Sequence, residues 1–330
     1  MVLVVVLVIL LVLGAIALWF FPKGAMLLRK ANTRASYDIA LIGDLPYNPK
    51  EEAQFFTMLQ EINQANVEFV IHDGDFKSGS SLCSDEVFAS RKALFNQFEP
   101  PFIYIFGDNE WTDCHRENNG SYDPIERLAK VRELFAAGNQ SLGKRTLPLT
   151  RQSEDPQHRK FRENLRWAYG NVLFVGLHVV GSNNNLGRSP EADAEYEERN
   201  AANLAWLKES FALAKTNNYP GIMVIIQADP FFEKPETERT GINDFIRLLE
   251  KEAIAFEKPV VLVHGDTHYF RIDKPLPIAA PNQPPDRLTN FTRLMTFGSP
   301  DVHWVRATID PNSPNVFEFR QEIVQANRAR

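Results

Sequence analysis

The sequence predicts an α/β fold with helices packed on the faces of its sheets. Three observations predict it: strand-length apolar runs that end in Gly-Asp, amphipathic helical segments between those runs, and a tail that turns to alternating strands. Residues 37–42 read as a buried strand ending in Gly43-Asp44, and 50–66 follow with Phe55, Met58, Leu59 and Ile62 on one helical face. Residues 67–71 form a second strand ending at Gly74-Asp75. The next helix, 84–98, opens on Ser84 with acids in its first turn. A third strand, 101–106, ends at Gly107-Asp108, and Pro124 opens a helix over 123–137. Residues 138–165 are polar and lack apolar periodicity, so they read as a long surface excursion rather than a second domain. A strand over 171–180, a helix over 192–216 with Leu204, Leu207 and Phe211 inward, and a strand over 221–226 ending at Gln227 come next. A helix over 240–256 and a strand over 258–263 lead into His264-Gly265-Asp266-Thr267-His268. Strands over 291–297, 302–309 and 316–323 read as hairpins completing a second sheet, after a Pro-rich loop at 274–285.

The composition, 44% hydrophobic and 24% charged over 330 residues, is that of a globular protein with a large core. Lys and Arg number 36 against 42 Asp and Glu. Four of the basic residues, Lys23, Arg29, Lys30 and Arg34, precede the first acid, so the part from Asp38 onward sets 32 basic against 42 acidic side chains, a charge of −10. Such a body repels polyphosphate backbones, which argues against nucleic acid as a partner and for a small or metal-neutralised substrate.

Residues 2–21 are uninterrupted apolar or Gly positions, long enough as a helix to cross a bilayer core of about 30 Å. Ala15-Ile16-Ala17 suits a cleaved signal peptide. The lack of a basic segment before the run suits an uncleaved transmembrane anchor that would hold the protein to the membrane. The basic cluster at 23–34 favours a cytoplasmic domain. Cys83 and Cys114, in loops on one face of one sheet, favour a disulfide and an oxidising compartment. The expectation is an exported protein, periplasmic or extracellular, or one anchored with its domain outside. Residues 1–36 form the signal or anchor and a basic linker, and 37–330 a single domain.

Asp44, Asp75, Asp108, Gln227, Asp266 and His268 all follow hydrophobic strand runs. In an α/β sheet such strand ends converge on one edge, where ligands bind. Four carboxylates gathered there repel one another unless cations offset them, so metal binding is the economical reading. His178, inside an apolar strand, reads as a core histidine. His115, beside Cys114 in the third active-edge loop, is placed to act as a proton donor.

In order and spacing these residues resemble the calcineurin-like metallophosphoesterase superfamily over nearly all of 37–310. That family runs Asp-x-His, Gly-Asp, Gly-Asn-His-Asp or Glu, a strand-end His, then Gly-His-x-His. Asp44, Gly74-Asp75, Gly107-Asp108-Asn109-Glu110, Gln227 and Gly265-Asp266-Thr267-His268 take those places. Pro46, Asp108, Asn109, Gln227 and Asp266 replace the usual His, Asn, His, His and His, so the chain resembles a divergent branch. Tyr47, three residues after Asp44, is a candidate substitute for the metal-binding Tyr of purple acid phosphatases.

The resemblance implies a four-layer αββα sandwich and a phosphoesterase that hydrolyses a small phosphomonoester or phosphodiester by a metal-activated hydroxide. It implies two divalent ions. Asp75 would bridge them, Asp44 and His268 would hold one, and Asp108, Gln227 and Asp266 the other. The oxygen-rich set favours Mn²⁺ or Mg²⁺ over Fe or Zn²⁺. Asn109 can bind a phosphoryl oxygen but supplies no proton, which leaves His115 or His264 as the acid. The alternative is a catalytically silent member that works as a surface binding module.

Overall fold

Successive residues of β1 (Tyr37–Ile42) point to opposite faces, and both faces are covered: Ile39 and Leu41 enter one core, Ala40 and Ile42 another. The computed structural model describes residues 35–278 and 286–328. The apolar run at 2–21, the basic cluster and the expectations placed on them lie outside the described residues. Among the described residues, no helix is long and apolar enough to cross a membrane.

Beside β1 lie, in parallel, β2 (Val70–His72) and β3 (Phe102–Tyr104). Connecting them are α1 (Pro49–Gln64) and α2 (Asp85–Phe95), and α3 (Pro124–Phe135) follows β3. Each helix begins where the sequence supplies a cap: Asn48 accepts from the Glu51 N–H at 3.0 Å, Ser84 from Val87 at 3.4 Å and Asp123 from Ile125 at 2.9 Å. Phe55, Met58, Leu59, Phe88, Phe95, Leu128 and Val131 from these helices cover one face of the sheet.

The polar stretch after α3 is less irregular than the sequence implies. It carries a short β4 (Thr150–Arg151) that pairs with β5 (Leu165–Tyr169), and β5 is antiparallel to β6 (Val172–Gly176). β5 eludes an apolar-run reading because the less buried Arg166 and Ala168 alternate with the buried Leu165 and Trp167. Next come α4 (Pro190–Thr216), β7 (Ile222–Ile225), α5 (Asn243–Phe256) and β8 (Val260–His264). The short β9 (Arg271–Asp273) follows, and β10 (Pro277–Ile278) pairs with β11 (Asp286–Arg287). The tail corrects the hairpin expectation in part. β12 (Phe291–Met295) runs parallel to β8, while β13 (Trp304–Ile309) and β14 (Phe317–Glu322) form a hairpin against β1.

The result is a five-stranded sheet, β14-β13-β1-β2-β3, and a seven-stranded sheet, β4-β5-β6-β7-β8-β12-β9. Ile39, Leu41, Phe69, Ile103, Phe174, Met223, Ile225 and Val305 fill the space between them. Leu207 and Phe211 of α4 and Phe245, Ile246 and Leu249 of α5 cover the outer face of the second sheet. This is the four-layer αββα sandwich.

Candidate metal centre at the strand ends

Parallel pairing fixes where the strands stop. Ile42, His72 and Tyr104 stand side by side in one sheet, and Ile225 and Val263 in the other. Asp44, Asp75 and Asp108 therefore leave the first sheet at one rim, Gln227, Asp266 and His268 leave the second, and the two rims meet. Asp266 donates its backbone N–H to Asp44 Oδ2 at 3.0 Å, Gln227 Nε2 donates to Asp75 Oδ2 at 3.0 Å, and His268 Nε2 lies 3.6 Å from Asp44 Oδ1.

The glycines before Asp44, Asp108 and Asp266 make room for an acid from another strand, and Gly74, before Asp75, for the Gln227 side chain. A Cβ on Gly107 would lie 2.0 Å from Asp75 Oδ1, and one on Gly265 would lie 2.1 Å from Asp44 Oδ2. Asp44, Asp75, Asp266 and His268 hold φ values of 50, 59, 77 and 60°, the left-handed region that non-glycine residues seldom enter.

Two lobes result. In the first, the Tyr47 hydroxyl stands 3.4 Å from Asp44 Oδ1, 3.4 Å from Asp75 Oδ2 and 3.2 Å from His268 Nε2, and it accepts from Asn109 Nδ2 at 3.2 Å. His268 is oriented by Nδ1 against the Ser299 carbonyl at 2.8 Å. In the second, Asp108 Oδ1 is buried without a hydrogen-bond partner. It faces Asp266 Oδ1 across a cradle at Gly181, where a Cβ would lie 2.8 Å from the one and 2.7 Å from the other. Gln227 Oε1 accepts from the Gly181 N–H at 2.6 Å, so in this arrangement the Gln227 side chain hydrogen-bonds its neighbours and must turn to offer oxygen to an ion.

Burial, then Asp73 and Asp266, push the Asp44 carboxyl well up. Burial, then Asp108 and Glu110, do the same to Asp75. Asp266 is pushed up to about 7 by burial and then by Asp108. Among the described residues, no group of three or more His, Cys, Asp and Glu side chains has the geometry to hold an ion. The Tyr47 hydroxyl stands among the first lobe's donors. The donor chemistry nonetheless fits a hard cation, because crowded carboxylates and the orphaned Asp108 oxygen both lack a positive partner.

The proposed acids stand apart. His115 turns Nδ1 to the Thr112 carbonyl at 2.7 Å and is exposed. His264 is fully buried, with Nδ1 against the Gly265 carbonyl at 3.1 Å and Nε2 without a partner. His178 is a core histidine, buried against Glu163 at 3.0 Å. Cys83 and Cys114 form a disulfide with their Cα atoms 5.8 Å apart, tying the loops after β2 and β3.

Five residues join the site without a motif. Besides Tyr47, Ser182 donates to Asp108 Oδ2 at 2.7 Å and lies 3.0 Å from Asp113 Oδ1. Buried Asp113 in turn holds Arg116 Nη1 at 2.7 Å. Buried Lys77 spends its three protons on Ser78 O, Asn109 O and Asn119 Oδ1, at 2.7, 2.7 and 2.9 Å. Only the spacing of Tyr47 from Asp44 was a sequence signal.

No protein-family model and no curated protein matches the sequence. Among solved structures, a dimetal phosphatase from Danio rerio superposes over 87% of this chain and 96% of its own, with a TM-score of 0.51 at 11% identity. GAP50, the anchor in the inner membrane complex of Plasmodium, aligns over 88% and 90%, with a TM-score of 0.48 at 12% identity. A purple acid phosphatase from yellow lupin (Lupinus luteus) seeds aligns over 87% of this chain and 52% of its own, with a TM-score of 0.46 at 12% identity. The layer order, the strand-end site and the likeness to the Danio rerio enzyme together give the chain the fold of the calcineurin-like metallophosphoesterases.

Proposed function

We propose that this chain is a metal-dependent phosphoesterase acting on a small phosphate ester, outside the reducing cytoplasm. The observation that carries the reading is the unpartnered Asp108 oxygen facing Asp266 beside the Asp44, Asp75 and His268 lobe. Asp44, Asp75 and His268 would hold one ion and Asp108 and Asp266 a second, with Gln227 turned to join them. Bound divalent ions would lower the pKa of a water and offset phosphoryl charge. Asn109, its N–H on Asp75 Oδ1 at 3.0 Å, offers an amide to a phosphoryl oxygen. The buried disulfide supports an oxidising compartment, and residues 2–21 would supply the export signal or a membrane anchor.

A second reading, a silent binding module, is favoured by one observation: neither His115 nor His264 hydrogen-bonds the cluster, and His268 is taken as a ligand, so no histidine is left to protonate a leaving group. A hydrolysis screen separates the two. The protein is reconstituted with Mn²⁺ or Mg²⁺ and offered p-nitrophenyl phosphate and bis(p-nitrophenyl) phosphate. Turnover that is lost in Asp75→Asn is expected. Absence of turnover with every metal, or equal turnover in Asp75→Asn, would support the silent module.

A further inference from the structure

Beside the crowded carboxylates stands a partly exposed cation, Arg116. Arg116 closes the short turn Thr112–His115, in the loop pinned by the disulfide, and its carbonyl accepts from the N–H groups of Asn119 and Ser121, each at 3.0 Å. Its backbone is therefore held. One nitrogen of its guanidinium is also held, since Nη1 donates to Asp113 Oδ2 at 2.7 Å and to the Gly79 carbonyl at 3.2 Å. Asp113 Oδ1 lies 3.0 Å from the Ser182 hydroxyl, whose proton goes to Asp108 Oδ2 at 2.7 Å. Among the described residues, Nε and Nη2 have no partner, and the side chain is 43% exposed. The edge left free is the two-donor fork that matches a pair of phosphoryl oxygens.

The guanidinium stands beside the candidate substrate contact. A Cβ on Gly79 would lie 2.7 Å from Asn109 Oδ1 and 3.2 Å from Arg116 Nη1, so the Asn109 amide and the guanidinium share one corner. Asn109 Nδ2 reaches the other way, to the Tyr47 hydroxyl among Asp44, Asp75 and His268. We infer that Arg116, oriented by Asp113, is a substrate-binding residue that selects phosphomonoesters over diesters; this rests on the phosphoesterase reading above. A monoester brings three non-bridging oxygens and a diester two. The additional, dianionic charge of a monoester is what a positive group beside the carboxylates recognises.

The test uses the full chain with Mn²⁺ and the two chromogenic esters, comparing wild type with Arg116→Ala, Arg116→Lys and the distant surface control Lys144→Ala. Loss of a charge-assisted contact should raise KM for the monoester roughly 10- to 100-fold. Lys should recover part of it, and diester kinetics and the control should stay within about twofold. Calorimetric titration with inorganic phosphate gives a readout without turnover, and its Kd should weaken in parallel in Arg116→Ala. Equal effects on both esters, or unchanged phosphate affinity, would overturn the assignment. Should wild type cleave neither ester, the phosphoesterase reading falls and the phosphate titration decides Arg116 alone: weaker binding in Arg116→Ala supports it, and equal or absent binding ends it.

Discussion

Asp266 shows how much of this site is electrostatic cost. Its carboxyl is pushed up to about 7, by burial first and by Asp108 next, against 3.8 in an unfolded chain. At pH 8 it is charged in both states and the fold accommodates that charge less well than water does. Below the unfolded value it is protonated in both and costs nothing. The penalty is therefore largest above the folded pKa and shrinks as pH falls toward 4. Asp266→Asn should stabilise the metal-free protein by about 2–4 kcal/mol at pH 8 and by less at pH 5. Calorimetry in chelator checks this, and a variant no more stable than wild type at pH 8 would show that the carboxylates do not repel. Asp44, Asp75 and His268 share with Asp266 a left-handed backbone. Strain of about 1–3 kcal/mol at each persists only where the surrounding structure imposes it, a pattern that clusters at functional sites.

At the scale of elements, the segment after β6 is held by side chains from two directions. Ser182, Asn183, Asn184 and Asn185 hold φ of 50, 51, 56 and 68°, a left-handed turn that puts the Ser182 hydroxyl on Asp108. Arg199 of α4, with no exposed surface, supports it through Asn184 Oδ1 at 2.6 Å and Asn184 O at 3.0 Å, and pairs with Glu195 at 2.6 Å. Arg199→Met should cost about 3–5 kcal/mol, because it leaves the buried Glu195 carboxylate unpaired, and adding Glu195→Gln should recover part of that. Urea unfolding of the single and double variants measures both, and a single variant within about 1 kcal/mol of wild type would show the pair to be dispensable.

The limits of the sequence follow from the same elements. β1, β7 and β8 were readable because both faces are buried and their runs are almost wholly apolar, Asp38 near the start of β1 and His264 at the end of β8 being the exceptions. β5 was not, because its less buried positions interrupt the run. The strand-end acids were readable because parallel strands share one C-terminal edge. Tyr47 was legible only as a spacing from Asp44. Ser182, Asp113 and Arg116 were not, because contacts between loops, 69 and 74 residues apart for Ser182 and 37 for Arg116 with Gly79, leave no periodic trace.

Over the whole molecule, the site is shared between the two sheets: Asp44, Asp75 and Asp108 come from one, and Gln227, Asp266 and His268 from the other. The sheets are already joined by an apolar core, so a cation at their common rim would add a link where the carboxylates otherwise push the rims apart. Such a link would be made in the folded state and absent from the unfolded chain, whose acids are dispersed. Mn²⁺ or Mg²⁺ should therefore raise the melting temperature of the domain as a unit. Each tenfold excess over the dissociation constant should add about 1.4 kcal/mol. Asp75 touches both lobes, through Tyr47 and through Gln227, so Asp75→Asn should remove most of that increment while leaving the apolar core unchanged. Differential scanning calorimetry across a metal series decides it. A wild-type protein indifferent to millimolar Mn²⁺, Mg²⁺, Ca²⁺ and Zn²⁺ would mean that the fold tolerates its crowded acids by protonating them, and the case for a metal centre at this rim would be lost.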